Sequence, residues 1–307
     1  MRKTFANALM SMAEKDSRIW LLTPDVGFSV LEGFAEKFPD RFLNVGIAEQ
    51  NAVGIAAGLA LSGKIPYVYT MAPFACERTF EQVKIDAAYM NSNVRIVGIG
   101  AGFSYGPAGA THHAIEDIAI MRSLPNMAVV APGDLSETKA LVRYSVVHSG
   151  PMYIRLGKNG EPEYEHDVEF GKISEVIKGG SCAVISTSTM LEDCYDACLE
   201  LKSEGIDAMC LSAHTLKPFD EERIVDLVSR GIPIVTVEEH NVIGGLYSAV
   251  SETAVRTGRG VRILPIAVPD AFSHFVGSQK HIRSRMGLGC LSVRIADFMR
   301  SIAVGSV

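Results

Sequence analysis

The chain has 307 residues, 48% of them hydrophobic and 21% charged, the composition of a soluble globular protein with room for two ordinary domains. A formal net charge of −6, with no basic run or interleaved aromatic stripe, argues against nucleic acid as a partner. The absence of any apolar stretch of about 18 residues argues against a membrane-spanning helix.

The start, Met1-Arg2-Lys3-Thr4-Phe5, carries charge but no signal-peptide core behind it, so the expected location is the cytoplasm. Cys76, Cys182, Cys194, Cys198, Cys210 and Cys290 have neither paired CxxC spacing nor the density of a secreted scaffold. They read as small buried hydrophobes in a reducing compartment.

Short β-branched runs alternate with amphipathic stretches, the pattern of βαβ units around a parallel sheet. Strands are predicted at Ile19–Thr23, Ile65–Met71, Val94–Gly100, Met127–Ala131 and Met152–Leu156, with a further short one ending at Gly46. Helices are predicted between them at Ala48–Ser62, Phe74–Met90, Ile115–Ser123 and Leu135–His148. Gly157–Lys172 loses periodicity and carries Glu161, Glu163, Glu165, Asp167 and Glu169, which reads as a solvated linker.

A second alternating set follows, with strands at Cys182–Ser186, Ala208–Ser212, Ile232–Val237 and Val261–Ile266. Its helices are predicted at Leu191–Glu204, Glu221–Ser229, Gly245–Thr257 and Val276–Met286. The expected fold is α/β, in two domains that are each a largely parallel sheet flanked by helices. Their expected extents are 1–157 and 173–307, joined by a linker at 158–172.

Two tempting motifs fail. Gly98-Ile-Gly100-Ala-Gly102-Phe103 lacks the third glycine of a dinucleotide loop, since Phe103 or Tyr105 stands where it should be. His112-His113-x-x-Glu116 has no further ligand set around it, so no metal is assigned to this chain.

The most informative stretch is Val45-Gly46-Ile47-Ala48-Glu49-Gln50-Asn51-Ala52-Val53-Gly54-Ile55-Ala56-Ala57-Gly58. A strand gives way here to a helix rich in Ala and Gly, with an acid in its first turn, where it complements the helix dipole. The segment resembles the transketolase superfamily, most closely its 1-deoxyxylulose-5-phosphate synthase branch. Further matches follow in the same order: Pro66-Tyr-Val-Tyr-Thr-Met-Ala-Pro-Phe74, Gly109-Ala-Thr-His112-His113, Leu124-Pro-Asn-Met127, and in the second half Leu216-Lys-Pro218 and Gly277-Ser-Gln279.

That resemblance implies a thiamine-diphosphate-binding fold, with the pyrimidine domain followed by the transketolase C-terminal domain. It implies that Glu49 hydrogen-bonds the pyrimidine N1′ and that Phe74 stacks on the ring. Asp25 and Val26 fall where an Asp precedes the apolar wedge that keeps the cofactor bent. His112 matches the histidine that contacts substrate oxygens, and His113 is a second candidate. Arg2, Ser29 and Lys158 fall at or near the positions that hold a sugar phosphate, although a Lys lacks the bidentate geometry of Arg.

Two departures, Ala108 for the family acid and Gly100 for a family histidine, leave the sugar open. The expected activity is transfer of a two-carbon ketol unit from a ketose to an aldehyde. The diphosphate grip, Gly-Asp-Gly followed by an Asn, does not occur in the sequence. A partner chain is therefore expected to supply it, with Mg²⁺ or Ca²⁺, in an α₂β₂ assembly that also pairs two copies of this chain. Two other readings remain: the β subunit of a 2-oxoacid dehydrogenase-like enzyme, and a non-catalytic scaffold paralogue.

Overall fold

Strands that are apolar on both faces need cover on both sides, and the first sheet is built from such strands. They are β1 (Ile19–Thr23), β2 (Phe42–Asn44), β3 (Ile65–Met71), β4 (Arg95–Ile99), β5 (Ala128–Val130) and β6 (Met152–Leu156), in a computed structural model that describes residues 1–158 and 160–304. All pair in parallel, with Leu22 beside Val68, Val68 beside Ile96 and Ile96 beside Tyr153.

One face is covered by α1 (Arg2–Ala13), α2 (Glu32–Lys37) and, farther along, the helix 135–147, through Phe5, Leu9, Phe34, Leu141 and Val142. The other face receives α3 (Glu49–Leu61), whose Ala52, Val53 and Ala56 let it lie close to Leu22 and Val68. Between β3 and β4 the chain is helical but irregular, with π turns at Phe74–Arg78 and Val83–Tyr89 around α4 (Phe80–Gln82). α5 (Asp117–Ser123) and α6 (Leu135–Val147) complete this half.

The second sheet contains β7 (Ser174–Ile177), β8 (Cys182–Ser186), β9 (Ala208–Ser212), β11 (Ile234–Asn241) and β12 (Ile263–Val268), in the order β12-β11-β8-β9-β7. Around it lie α7 (Leu191–Ser203), α8 (Glu221–Ser229), α9 (Leu246–Arg256), α10 (Gln279–Arg285) and α11 (Leu291–Val304). The remaining strand, β10 (Thr215–Lys217), leaves this half and pairs antiparallel with β5, at the edge of the first sheet. The first sheet therefore runs β10-β5-β6-β4-β3-β1-β2, and one apolar core continues from Val68 and Ile96 to Leu211 and Ile224.

Several elements depart from the sequence reading. β7, β10 and α2, of three to six residues, were not expected because they offer too few periodic positions; α1 and α11, of 12 and 14 residues, were not expected either. The helix expected from Val276 starts at Gln279, where Ser278 caps it by accepting from the His281 N–H. Residues 305–307 of the expected second domain, and residue 159 of the expected linker, lie outside the described residues. Cys290 is exposed, whereas the other five cysteines are buried.

The linker is also no loose, solvated segment. Glu163, Glu165, Asp167 and Glu169 face water, but Tyr164, His166, Val168 and Phe170 turn inward on alternate positions. Tyr164 stacks on Tyr195 at 4.4 Å and Phe170 on Tyr144 at 4.0 Å. His166 Nε2 lies 3.2 Å from Asp134 Oδ2 and 3.8 Å from Glu137 Oε1, all buried.

Burial and the charge of Asp134 push the Glu137 carboxyl up to about 7. His166 is raised too, its carboxylate neighbours outweighing its burial, while burial holds the nearby His214 down at about 4. A raised folded-state pKa means that the folded chain holds more protons, so Glu137 contributes stability below about pH 4.5 that is lost as pH rises through about 7. Glu137→Gln should therefore lose less melting temperature between pH 5 and pH 8 than the parent chain. Equal slopes in calorimetric melts would separate Glu137 titration from folding.

Candidate active site

Every residue singled out in the first half, Arg2 apart, follows the carboxyl end of a strand of the first sheet, the edge at which open α/β sheets bind ligands. Asp25, Val26 and Ser29 follow β1, Glu49 opens α3 after β2, Phe74 follows β3, the loop with His112 and His113 follows β4, and Lys158 follows β6. Arg2 begins α1 and reaches the same edge, where its Nε donates to the Lys158 carbonyl at 2.7 Å.

Glu49 is only 4% exposed and accepts from Arg78 Nη1 at 2.9 Å. The Arg78 guanidinium lies 4.2 Å from the centre of the Phe74 ring, and that ring meets the His112 imidazole edge-on at 5.3 Å. His112 Nδ1 is 2.9 Å from Thr111 Oγ1. Acid, aromatic ring and histidine are thus joined in one continuous cluster through Arg78, which the sequence reading missed. The only signal for Arg78 was its spacing: four residues after Phe74 in a helical turn, it falls on the same face as that ring.

His113 takes a different direction. It is buried against the edge of Phe103 at 5.0 Å, its Nε2 lies 3.4 Å from the Gly106 carbonyl, and burial holds its pKa below the usual imidazole range. Asp25 is exposed at φ 58°, tied to Asn44 by a side-chain bond of 3.0 Å and a backbone bond of 3.1 Å. Asn44 Oδ1 also accepts from Gly46 N–H, so it fixes the turn that delivers Glu49.

Val26 is pinned by Thr23, whose hydroxyl donates to the Val26 carbonyl at 2.7 Å. A cavity of about 220 Å³ is lined by Thr23, Asp25, Val26, Phe28 and Asn44; Glu49, Phe74 and His112 take no part in its lining. Of those three, Glu49 is buried and Phe74 and His112 are half-buried, while Ile47, two residues before Glu49, is 80% exposed.

Lys158 Nζ stands 4.6 Å from the centre of the Tyr105 ring, and Arg2 lies near the same phenol, opposing the upward push that burial gives it. A side chain at Gly100 would place its Cβ 2.2 Å from that ring, so Tyr105 fills the space of any side chain at position 100. Ser29 is held separately, its N–H donating to Glu32 at 2.6 Å.

A planar, delocalised cation stacked on Phe74 and hydrogen-bonded to Glu49 makes the two contacts that an aminopyrimidine would make. The acid and ring present here therefore suit that half of thiamine diphosphate.

Comparison with known proteins gives the family. The pyrimidine binding domain of transketolase matches residues 1–161, and the transketolase C-terminal domain matches residues 171–289. The chain is 41% identical to one of the subunits of the apulose-4-phosphate transketolase of Phocaeicola vulgatus, over 88% of this chain and 87% of that one. It is 35% identical to the 6-deoxy-6-sulfo-D-fructose transketolase subunit SqwH of a Clostridium species, over 94% and 90%. A split-gene transketolase solved as an inactive β4 tetramer superposes with a TM-score of 0.86 at 37% identity, covering 94% of this chain and 93% of that one. The chain belongs to the transketolase family, as a subunit of the thiamine-dependent type that carries the pyrimidine-binding and C-terminal domains.

Proposed function

We propose that this chain is the pyrimidine-binding half of a two-chain transketolase, moving a two-carbon ketol unit from a ketose to an aldehyde acceptor in an α₂β₂ assembly. The observation that carries the reading is the Glu49–Arg78–Phe74–His112 cluster at the carboxyl edge of the sheet. Glu49 would share a proton with the pyrimidine N1′, Phe74 would stack on the ring once Arg78 withdraws, and Val26, beside Asp25, would press the cofactor into its bent shape. Thiamine diphosphate, when bound, supplies the nucleophilic carbon that takes up the ketol unit.

His112 would face the oxygens of the transferred unit, donating to them as they gain charge. His113, buried behind it, would support that loop. The diphosphate and its Mg²⁺ or Ca²⁺ fall to the partner chain. Buried thiols such as Cys76, Cys182 and Cys194 suit a reducing compartment, and the proposed location is the cytoplasm. Among the described residues no helix is long and apolar enough to cross a membrane.

The names of both relatives denote sugars with an anion, one phosphorylated and one sulfonated. Arg2 and Lys158, close together beside Tyr105, suit such a group, with Ser29 as an outlying contributor. In the reconstituted enzyme, Lys158→Ala should raise KM for xylulose 5-phosphate about tenfold, the loss of one charge-assisted contact, and leave KM for unphosphorylated xylulose within about twofold. Equal changes for both sugars would make Lys158 an ordinary surface residue.

A further inference from the structure

The segment that carries His112 and His113 belongs to the first domain in sequence, yet it is seated in the second. Phe103 and Ile115, one on each side of the two histidines, are buried in the apolar core formed by Val184, Leu191, Val235 and Ile282. The backbones also meet. A Cβ at Gly102 would lie 2.4 Å from Glu239, and one at Gly106 would lie 2.3 Å from the Gly277 carbonyl oxygen, so neither glycine can be replaced without moving the seat. Arg155 ties both sides together, donating to the Ala114 carbonyl at 2.8 Å and the Glu239 carbonyl at 3.0 Å.

A second side chain links the seat to the loop by hydrogen bonds. Gln279 Nε2, at the start of α10, donates to Glu239 Oε2 at 2.8 Å and to Ser104 Oγ at 3.2 Å. Ser104 is free to accept because its own proton goes to the Ala101 carbonyl at 2.6 Å. Glu239 is fully buried and keeps its charge without Gln279: Arg283 donates to both of its oxygens at 2.9 Å, and Thr189 adds a bond of 2.9 Å. The amide is thus one of several donors to Glu239, and its two N–H groups fit a carboxylate on one side and a hydroxyl on the other. A carboxylate at position 279 would face Glu239 with like charge and offer Ser104 no donor.

We propose that Gln279 is a positioning residue, through which the C-terminal domain sets the His112 loop by way of Ser104. The proposal rests on the reading of His112 as the group that faces substrate oxygens. It gives the second domain a part in the reaction: it is the fixed wall against which a Gly-rich loop holds its histidine. Displacement of such a loop by about 1 Å is enough to cost up to about 10²-fold in rate without loss of the fold.

The test uses the reconstituted two-chain enzyme, with hydroxypyruvate as donor and glycolaldehyde as acceptor, and compares Gln279→Ala, Ser104→Ala, the double variant and His112→Ala. The expected result is a fall in kcat of about tenfold in Gln279→Ala and a similar fall in Ser104→Ala. The double variant should be no worse than either, because both cut one link. Cofactor affinity should stay near the parent value, and the variants should remain folded at the assay temperature. Unchanged kcat in Gln279→Ala beside an impaired His112→Ala overturns the positioning role alone. A lowered melting temperature or cofactor affinity with kcat intact overturns it as well, marking the bond as structural. Additive losses in the double variant overturn the route through Ser104. Full activity in His112→Ala overturns the reading beneath the proposal.

Discussion

Glu49→Gln in the reconstituted enzyme is expected to lower turnover by about 10²–10⁴-fold, the range for removal of a group that exchanges a proton in the transition state. Gln keeps the size of the side chain and one acceptor oxygen for Arg78, so the helix start is not disturbed. The ion pair itself adds little to folding, because the Arg78 side chain is 45% exposed and such pairs contribute about 1 kcal/mol or less. The melting temperature should therefore hardly move while the rate collapses. A rate within about threefold of the parent would remove Glu49 from its role at N1′.

The strands that carry the site were legible because their boundaries are set by local chemistry. β1, β3, β6, β8 and β9 match the apolar runs read from the sequence residue for residue. Glu49, Phe74 and His112 were legible through motif order, since each sits just beyond a strand whose end can be located. Their meeting was not, because it depends on the order β4-β3-β1-β2, which places four strand ends side by side although they are far apart in sequence.

Other features were hidden for separate physical reasons. Arg78 follows Phe74 by four residues, so a helical reading already sets it beside that ring, but its bond to Glu49 joins two separate elements and is not visible in local spacing. The segment 163–170 concealed a two-residue alternation under its acidic composition. β10, three residues long, pairs with a strand some 85 positions earlier, and nothing in Thr215-Leu216-Lys217 announces that. The seating of Phe103 and Ile115 in the other domain has the same origin: both look like ordinary loop-flanking hydrophobes until the second sheet is placed against them.

The purified chain alone should bind thiamine diphosphate weakly or not at all in calorimetry, and should show no ketol transfer. Its site can grip one end of the cofactor only. Glu49 and Phe74 suit a pyrimidine, whereas a diphosphate brings two or more negative charges that need a cation once they leave water. The basic groups at this edge have other tasks: Arg78 is held on Glu49 and Phe74, and Arg2 and Lys158 stand beside Tyr105, where the anion of the sugar is proposed to bind. Each missing charge-assisted bond is worth about 1.5–3 kcal/mol, so the loss of two lowers affinity by about 10²–10⁴-fold.

The surface around the site is apolar enough to need cover. Ile47 is 80% exposed and Tyr89 82%, with Ile85 and Met90 exposed on the same irregular helix as Phe74, a concentration suited to a protein interface. Adding the diphosphate-binding partner with Mg²⁺ should bury these residues and restore tight cofactor binding and turnover, in a complex whose mass in light scattering corresponds to two copies of each chain. Stoichiometric cofactor binding and turnover by this chain alone would overturn the two-chain reading. A complex that forms and binds cofactor without Mg²⁺ or Ca²⁺ would overturn the assignment of the metal to the partner's diphosphate grip.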